Sequence, residues 1–349
     1  MRFTVAETLL NNGVGSNGTI NTSDPDQTFI TGTDPNNYIW YSGKLWRAVS
    51  IDPSDNSVKL VTQWNISAIP YNPSNQTAFE GSYMEQWLND TSVDGFLGNL
   101  REPEKFIKTD SVWNATMTEE TTKPAETTMV EAAVGLLNIY EYTMSYSGTD
   151  ASNGYLNNGL NWWTLTPYST SNVRNVNDDG IASSISPSNA NGARPAINLK
   201  SSVKVVSGDG SENNPYRLEG DNDTNLNGTL LNTRYSGEYI KFGEGENTLY
   251  RIVSHETSGL TKITSAEPLR SGGTFVRSAF GSNTTFSSSN TIGTFLNGDY
   301  LTSYVGDSYS NMIEESTTWY LGTVGYGDSY RLAKYSTATG NELTTNQTT

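Results

Sequence analysis

A short series of strands and a helix occurs twice in this sequence, and the repetition limits the possible folds more than any other feature. Five landmarks recur at an offset of about 205 residues. A constant offset across several landmarks indicates that a structural unit has been duplicated. The pairs are Tyr38–Tyr41 with Tyr239–Phe242, Leu45–Val49 with Leu249–Val253, Lys59–Thr62 with Thr261–Thr264, Trp87–Asn89 with Phe295–Asn297, and Trp113 with Trp319.

The repeat sets the expected domain organisation. A chain of 349 residues is long enough for two domains. The second copy reaches Thr349 without a counterpart of residues 162–218, so we expect it to be incomplete. The predicted segments are an N-terminal helix and linker (1–37), a first domain (38–219), a linker rich in Gly, Asn and Asp (220–237), and the N-terminal half of a second, homologous domain (238–349).

Local patterns place the individual elements. Apolar runs separated by turn residues predict a β-meander over residues 38–63. Residues 16–37 are rich in Ser, Thr, Asn and Asp, which predicts an ordered loop or linker. A helix is predicted over 3–11, with Phe3, Ala6, Leu9 and Leu10 on one side, and two more over 79–88 and 96–100. Residues 114–129 are predicted to be a surface loop. A strand and helix follow over 134–142, and a closing hairpin over 203–218.

Charge and composition exclude several function classes. The net charge is −16, whereas a protein that binds nucleic-acid backbones needs clustered positive charge, so nucleic acid is not an expected partner. There is no cysteine, which excludes a disulfide scaffold, a thiolate metal site and a cysteine nucleophile. No apolar run is long enough for a membrane helix, and no charged-then-apolar pattern typical of a signal peptide occurs, so we expect that a targeting segment of a secreted form has been removed. The low Lys content and abundant Asn, Gly, Ser and Thr favour a location outside a Gram-positive cell.

The stretch from Trp162 to Pro195 is the predicted binding site. Adjacent side chains of a strand point to opposite faces, so one of Trp162 and Trp163 is expected in the core and the other toward a partner. About twenty polar residues follow, which predicts a display loop or loop-rich hairpin on a rigid scaffold. The candidate ligand-binding residues are Trp163, Tyr168, Asn172, Arg174, Asn175, Asn177, Asp178 and Asp179.

These residues supply the groups that bind carbohydrate, namely aromatic faces, amides and carboxylates. The alternative is that the aromatic residues belong to the core and the polar residues only keep a loop soluble. We assign Arg194 to structure, because its five donors can fix the loop to the core.

Other chemistries have weaker support in the sequence. His255 is the only histidine, so neither a His-based acid–base site nor a zinc site is expected. Paired carboxylates could hydrolyse glycosides, and Glu80, Glu85, Asp94 and Glu141 lie near aromatic residues. Calcium is a possible cofactor of an acidic protein. The clusters to consider for calcium are Asp209–Glu212, Asn177–Gly180 and Asp221–Asp223, none of which has the spacing of a calcium loop.

The motifs taken together resemble an uncharacterised family of surface-exposed, often duplicated domains of Gram-positive bacteria, some of them attached to pilin-like or membrane-anchored proteins. Those domains are distantly similar to the C-type-lectin-like fold of formylglycine-generating enzymes and of the variable proteins of diversity-generating retroelements. The motifs are Tyr38–Val61, Trp87–Asn89, Val134–Leu137, Trp162–Pro167, Gly192–Leu199 and Ser207–Tyr216.

The resemblance implies an α+β fold of tandem lectin-like, loop-rich domains with short antiparallel sheets, and a ligand face between Tyr168 and Asn191. Formylglycine formation is not implied, because it requires a cysteine pair.

Two functions remain open from the sequence, with a hydrolase third. The first is a non-enzymatic, extracellular adhesion or binding protein that recognises a glycan, a cell-wall polymer or a protein. The second is a structural subunit of a surface appendage such as a pilus or fibre, in which the repeat adds length and the chain assembles with itself.

Overall fold

The computed structural model describes residues 2–146, 151–221, 228–256, 258–282 and 286–320, together with the backbone of 345–348. The predicted linker residues 222–227 and most of the predicted polar tail 341–349 lie outside these ranges. Contacts divide the chain into two compact units, Met1–Thr229 and Leu230–Thr349. Both units combine short strands in small sheets with few helices, so the protein is a mixed α+β protein.

Among the described residues, the first unit contains four short α-helices, two mixed sheets and a two-stranded antiparallel sheet formed by Val112–Asn114 and Met129–Glu131. Its helices are α1 (Val5–Asn12), α2 (Tyr83–Asn89), α3 (Pro103–Phe106) and α4 (Ile139–Thr143). Its strands are β1 (Gly18–Asn21), β2 (Thr28–Gly32), β3 (Tyr38–Tyr41), β4 (Lys44–Ile51), β5 (Val58–Thr62), β6 (Ser67–Pro70), β7 (Val112–Asn114), β8 (Met129–Glu131), β9 (Trp162–Pro167), β10 (Val173–Val176), β11 (Ala182–Ile185), β12 (Ala190–Ala193), β13 (Ala196–Leu199), β14 (Val205–Ser207) and β15 (Tyr216–Leu218).

The larger sheet has eight strands and contains the predicted meander. The path runs β1-β2-β4-β3-β15-β14, and β5 pairs with β4 on one side and with β13 on the other. The meander β3-β4-β5 and the closing hairpin β14-β15 are confirmed. The antiparallel pairing of β5 with β13 joins parts of the chain that are far apart in sequence.

Residues 16–37 differ from the prediction, because they form the hairpin β1-β2 and not a loop. Phe29 and Ile30 are fully buried, and β2 pairs with β4. The apolar pair is too short to stand out in a polar segment, but burial against the sheet makes it a strand. The Asp24–Pro25 turn forms the connection, as its residue types predict.

Helix α1 is confirmed and begins with a capping box between Thr4 and Glu7. The predicted apolar side is only partly correct. Leu9 is buried, but Phe3 and Leu10 are about half exposed. Val5 is buried in their place, so the helix is rotated relative to the predicted face.

The smaller sheet has the order β11-β10-β9-β12-β6, with β9 in its centre. Trp162 and Trp163 on β9 are both fully buried, so the prediction that one of them faces a partner is wrong. The indole N–H of Trp163 donates to Ile69 O at 2.9 Å, and Trp162 packs edge-on against Tyr142. Both faces of this central strand are covered by the protein.

The second unit repeats the order of the first. Its sheet β16-β17-β18 corresponds to β3-β4-β5, and each has a register shift at the same place in the middle strand. Its elements are β16 (Tyr239–Lys241), β17 (Leu249–His255), β18 (Thr261–Ser265), β19 (Arg270–Ser271), β20 (Thr274–Phe275), α5 (Thr291–Leu296), a π-helical turn (Leu301–Val305), α6 (Asp307–Ser310), β21 (Thr318–Tyr320) and β22 (Thr345–Thr348).

Candidate functional site

Five of the predicted binding residues are exposed or half-buried, and they lie at opposite ends of one strand. Tyr168 and Asn172 belong to the turn before β10, whereas Asn177, Asp178 and Asp179 belong to the turn after it. Asn172 and Asn177 are five residues apart along an extended strand, so the two turns are separated by roughly 16 Å. The structure therefore does not bring these side chains into one site.

The other three predicted binding residues, Trp163, Arg174 and Asn175, are buried. Arg174 holds the loop 115–128, because its guanidinium donates to Thr118 O at 3.1 Å and pairs with Glu119 at 2.8 Å and with Glu120 at 3.2 Å. The polar sequence predicts an exposed, ligand-binding Arg174. The side chain is instead buried, because it pairs with two carboxylates of a loop that is distant in sequence.

The candidate calcium clusters are engaged in turns. Asp179 accepts the backbone N–H of Ile181 at 2.9 Å. Hydrogen bonds from Ser211 lower the pKa of Asp209. Residues 222 and 223 lie outside the described ranges. In the part of the chain that the structure describes, no group of three or more acidic or histidine side chains could hold a metal ion.

The structure instead shows a polar cavity of about 310 Å³ in the first unit, which sequence reasoning missed. We call it the Lys59 cavity. Its wall comes from strands β4, β5 and β13 of the larger sheet, from β7, from α4 and from the loop 115–128. The residues that matter below are Lys59 on β5, Asn198 on β13, Trp113 on β7, Tyr140 and Glu141 on α4, and Lys123 on the loop.

An ion pair lies on the cavity wall. Lys59 Nζ contacts Oε1 of Glu141, whose side chain is only 2% exposed. The other oxygen of Glu141 accepts the backbone N–H of Asn138 at 3.0 Å, as part of the capping box that starts α4. The ammonium also lies 5.1 Å from the ring centroid of Trp113. Helix capping and a cation–π contact therefore fix the two charges.

Carboxylates outnumber lysines around the cavity. The acidic lining residues are Asp26, Asp52, Asp110, Glu126 and Glu141, and the basic ones are Lys59, Lys108 and Lys123. The cavity is therefore more suited to neutral or cationic polar groups than to anions. Glu141 is the only one of the four proposed hydrolytic carboxylates that lines it, since Glu80, Glu85 and Asp94 lie on or near α2.

The loop 115–128 is fastened to the first hairpin at the cavity rim. Lys123 Nζ lies 2.5 Å from a carboxylate oxygen of both Asp24 and Asp26. The hydroxyl of Tyr140 donates to Asp24 at 2.9 Å. Burial raises the pKa of Tyr140, and its hydrogen bond to Asp24 raises it further, to about 12. Tyr140 is therefore a neutral donor at physiological pH.

The Lys123 contact predicts a pH-dependent effect. Burial raises the pKa of Asp24, but hydrogen bonds from Lys123, the Asp26 backbone and Tyr140 outweigh burial and lower it below 3.8. A lowered carboxyl pKa adds stability above the unfolded pKa, and that stability is lost as pH falls through the folded pKa. We expect Lys123→Ala to cost about 0.5 kcal/mol of unfolding free energy at pH 7, because the lysine is partly exposed.

Denaturant unfolding of both proteins between pH 7 and pH 2 checks this expectation. The difference between wild type and Lys123→Ala should shrink once Asp24 is protonated. A difference that stays constant across this range would show that the lysine acts through packing and not through charge.

The lysine and tryptophan of the cavity recur in the second unit. Ile252 lies opposite Ile263 as Ala48 lies opposite Leu60, and this register makes Lys262 the counterpart of Lys59. The repeat as read from the sequence pairs Lys59 with Thr261, which differs from the structural pairing by one residue. Lys262 Nζ lies 5.5 Å from the ring centroid of Trp319, which matches the distance in the first unit.

Comparison with known proteins gives one match. The family profile described as a domain of unknown function, DUF6273, matches residues 55–201. This segment contains most of the residues that line the cavity, from Ser57 just before β5 to Asn198 on β13. No curated protein and no solved structure matches the chain.

The repeat was the sequence signal that could have revealed the cavity. Trp113 and Trp319 were matched as landmarks, and a lysine occurs in both copies of the third strand. Their contact could not be read from the sequence, because more than fifty residues separate each lysine from its tryptophan.

Proposed function

We propose that the protein is a non-enzymatic, extracellular binding protein whose Lys59 cavity holds a small hydroxylated ligand, such as one saccharide residue of a glycan or cell-wall polymer. The observation that supports this proposal is the cavity itself. Its volume of about 310 Å³ is at the lower end of the usual range for small-molecule sites. A single sugar residue is of suitable size for such a space.

The lining has the chemistry that hydroxyl groups need. Carboxylates and amides accept or donate hydrogen bonds, and rim residues Asp110 and Glu126 are exposed enough to reach a ligand. The hydroxyl of Tyr140 adds a neutral group. Hydrogen bonds to charged acceptors are stronger than those between neutral groups, so the acidic rim favours a ligand rich in hydroxyl donors.

The wider setting is part of the same proposal. The absence of cysteine and the acidic, Asn- and Thr-rich composition support a location outside the cell. In the ranges that the structure describes, we find no helix with the length and apolarity needed to cross a membrane. The recurring strand order, register shift and lysine–tryptophan contact support a common fold for the two units, and the family resemblance of the sequence implies that this fold is lectin-like.

A glycan and cell-wall-fragment array tests the proposal directly. We expect wild type to bind at least one saccharide and the double variant Asp110→Asn/Glu126→Gln to bind it at least about tenfold more weakly, a loss of about 1.4 kcal/mol. The matched control is Asp178→Asn/Asp179→Asn, which removes two equally exposed charges from the turn after β10. It should bind like wild type.

Each other outcome has a clear meaning. Loss of binding only in the control variant would move the site to the turn after β10. If the wild type binds none of the saccharides and wall fragments on the array, the proposal is wrong.

A structural subunit of a surface appendage is the second candidate, because the repeat of elements suits a chain that adds length. Sedimentation of the purified protein distinguishes the two. Concentration-dependent assembly into fibres favours the appendage, whereas a monomer that binds saccharide favours the first proposal.

A further inference from the structure

Lys59 and Asn198 lie directly opposite each other on neighbouring strands. The antiparallel register of β5 and β13 pairs these two residues, and both line the Lys59 cavity. Cβ atoms of directly opposite residues are about 4.5–5.5 Å apart and lie on the same face of the sheet. The flexible four-carbon stem of lysine can bend over this distance. The amine can therefore reach the side-chain carboxamide of Asn198.

A carboxylate stands beside this pair. Glu141 contacts Lys59 Nζ, and the lysine and glutamate side chains are 15% and 2% exposed. Two charges withdrawn from water in this way cost free energy, and proton transfer from ammonium to carboxylate removes both charges. The indole of Trp113, 5.1 Å from Nζ, covers the amine with an apolar surface.

The carboxamide of Asn198 is not engaged elsewhere. Its backbone carbonyl accepts the N–H of Lys108 at 2.8 Å, but its side chain makes no hydrogen bond to the other residues that the structure describes. The amine and the carboxyl group are therefore in contact, and the free carboxamide lies across the strand pair from the lysine on the same cavity wall.

We infer that Lys59 and Asn198 become joined by an isopeptide bond, with Glu141 as the proton carrier. Lys59 passes a proton to Glu141, and the neutral amine attacks Cγ of Asn198. The Nζ–Cγ bond forms as the Cγ–Nδ2 bond breaks. Glu141 gives its proton to the leaving nitrogen and takes one from Nζ, and ammonia departs. No oxidant, reductant or cofactor is needed.

The bond connects two distant parts of a chain that has no cysteine. A covalent bond between residues 59 and 198 closes a long loop that contains all five strands of the smaller sheet, and such closure restricts the unfolded chain. Lys262 is an internal comparison. It pairs with Glu256 at 3.1 Å, and among the described residues β18 has no strand on its other side, so we expect no bond there.

Intact-mass measurement of the denatured full-length protein tests the inference. Wild type should be lighter than its sequence mass by one ammonia. Lys59→Arg, Asn198→Ala and Glu141→Gln should each have their full sequence mass. The matched control Lys262→Arg should keep the deficit. Because the measurement is made on unfolded chains, and wild type alone can decide it, a poorly folding variant does not affect the conclusion.

Peptide mapping locates the bond. Trypsin should fail to cut after Lys59 and should release a branched peptide that joins residues 48–101 to residues 175–200. Cyclisation at Asn-Gly pairs such as Asn191–Gly192 also releases ammonia, but mild alkali reopens that product and leaves an isopeptide bond intact. Full sequence mass in the wild type, a deficit that persists in Lys59→Arg, or a deficit that alkali removes would each overturn the inference.

Discussion

Replacing Arg194 by alanine is expected to lower the free energy of unfolding of the first unit by about 3 kcal/mol or more. The side chain is fully buried. Its Nε donates to Thr62 O at 2.7 Å, and Nη1 donates to Leu156 O. The guanidinium also lies 4.9 Å from the ring centroid of Trp162. Truncation leaves two buried carbonyls without a donor and a space beside an indole.

The cost arises from geometry more than from net charge. Burial lowers the pKa of Arg194, and the nearby positive charge of Arg47 lowers it further. The charged form is therefore less favourable in the folded chain than in water, and the hydrogen bonds offset that penalty. Arg194→Lys should consequently fail to restore stability, because an ammonium cannot present the planar fork of donors that reaches both carbonyls.

Urea unfolding followed by near-ultraviolet circular dichroism measures this effect, since Trp162 reports on the site. Arg217→Ala is the matched control. Arg217 is half buried and stacks on Trp40 at 4.9 Å, so its loss should cost about 1 kcal/mol or less. Equal losses for Arg194→Ala and Arg217→Ala would contradict the structural role given to Arg194.

Trp113→Ala should destabilise the first unit by about 3–5 kcal/mol and abolish ligand binding in the Lys59 cavity. Trp113 is 1% exposed, and its indole N–H donates to Ala132 O at 2.8 Å. The ring packs so closely on the backbone that a Cβ added at Gly135 would lie 2.3 Å from it. Removing the ring leaves a large space between β7 and the chain before α4, and removes the apolar cover of the Lys59 side chain.

Trp319→Ala is the internal control, because Trp319 occupies the same place in the repeat but is 41% exposed. Replacing an exposed side chain removes little buried surface. We therefore expect the free energy of unfolding to change by less than about 1 kcal/mol and ligand binding to be unchanged. Denaturant unfolding of both variants measures the contrast. Similar costs in the two units would contradict the structural difference between the buried Trp113 and the exposed Trp319.

Much of the secondary structure could be predicted from local sequence. The meander β3-β4-β5 follows from apolar strands separated by turn residues, and α1 follows from its apolar spacing and the glycine that ends it. The hairpin β1-β2 could not be predicted this way, since Phe29 and Ile30 become a strand only by burial against β4.

The predicted site shows the same limit. Trp163, Arg174 and Asn175 are polar or amphipathic residues in a polar stretch, which favours exposure on average. Their burial depends on partners far along the chain, such as Glu119 for Arg174 and Ile69 for Trp163. By contrast, the structural role of Arg194 was predicted correctly, because five donors on one buried side chain demand fixed acceptors.

The sequence by itself determined the composition that argues against nucleic-acid binding, the repeated order of elements, and the residue types able to bind a polar ligand. Only the tertiary structure decided which of those residues meet. Lys59, Trp113, Glu141 and Asn198 lie far apart in the sequence, and strand pairing with helix capping brings them to one cavity. Periodicity reports the face of an element, whereas contact between elements depends on how their buried surfaces fit together.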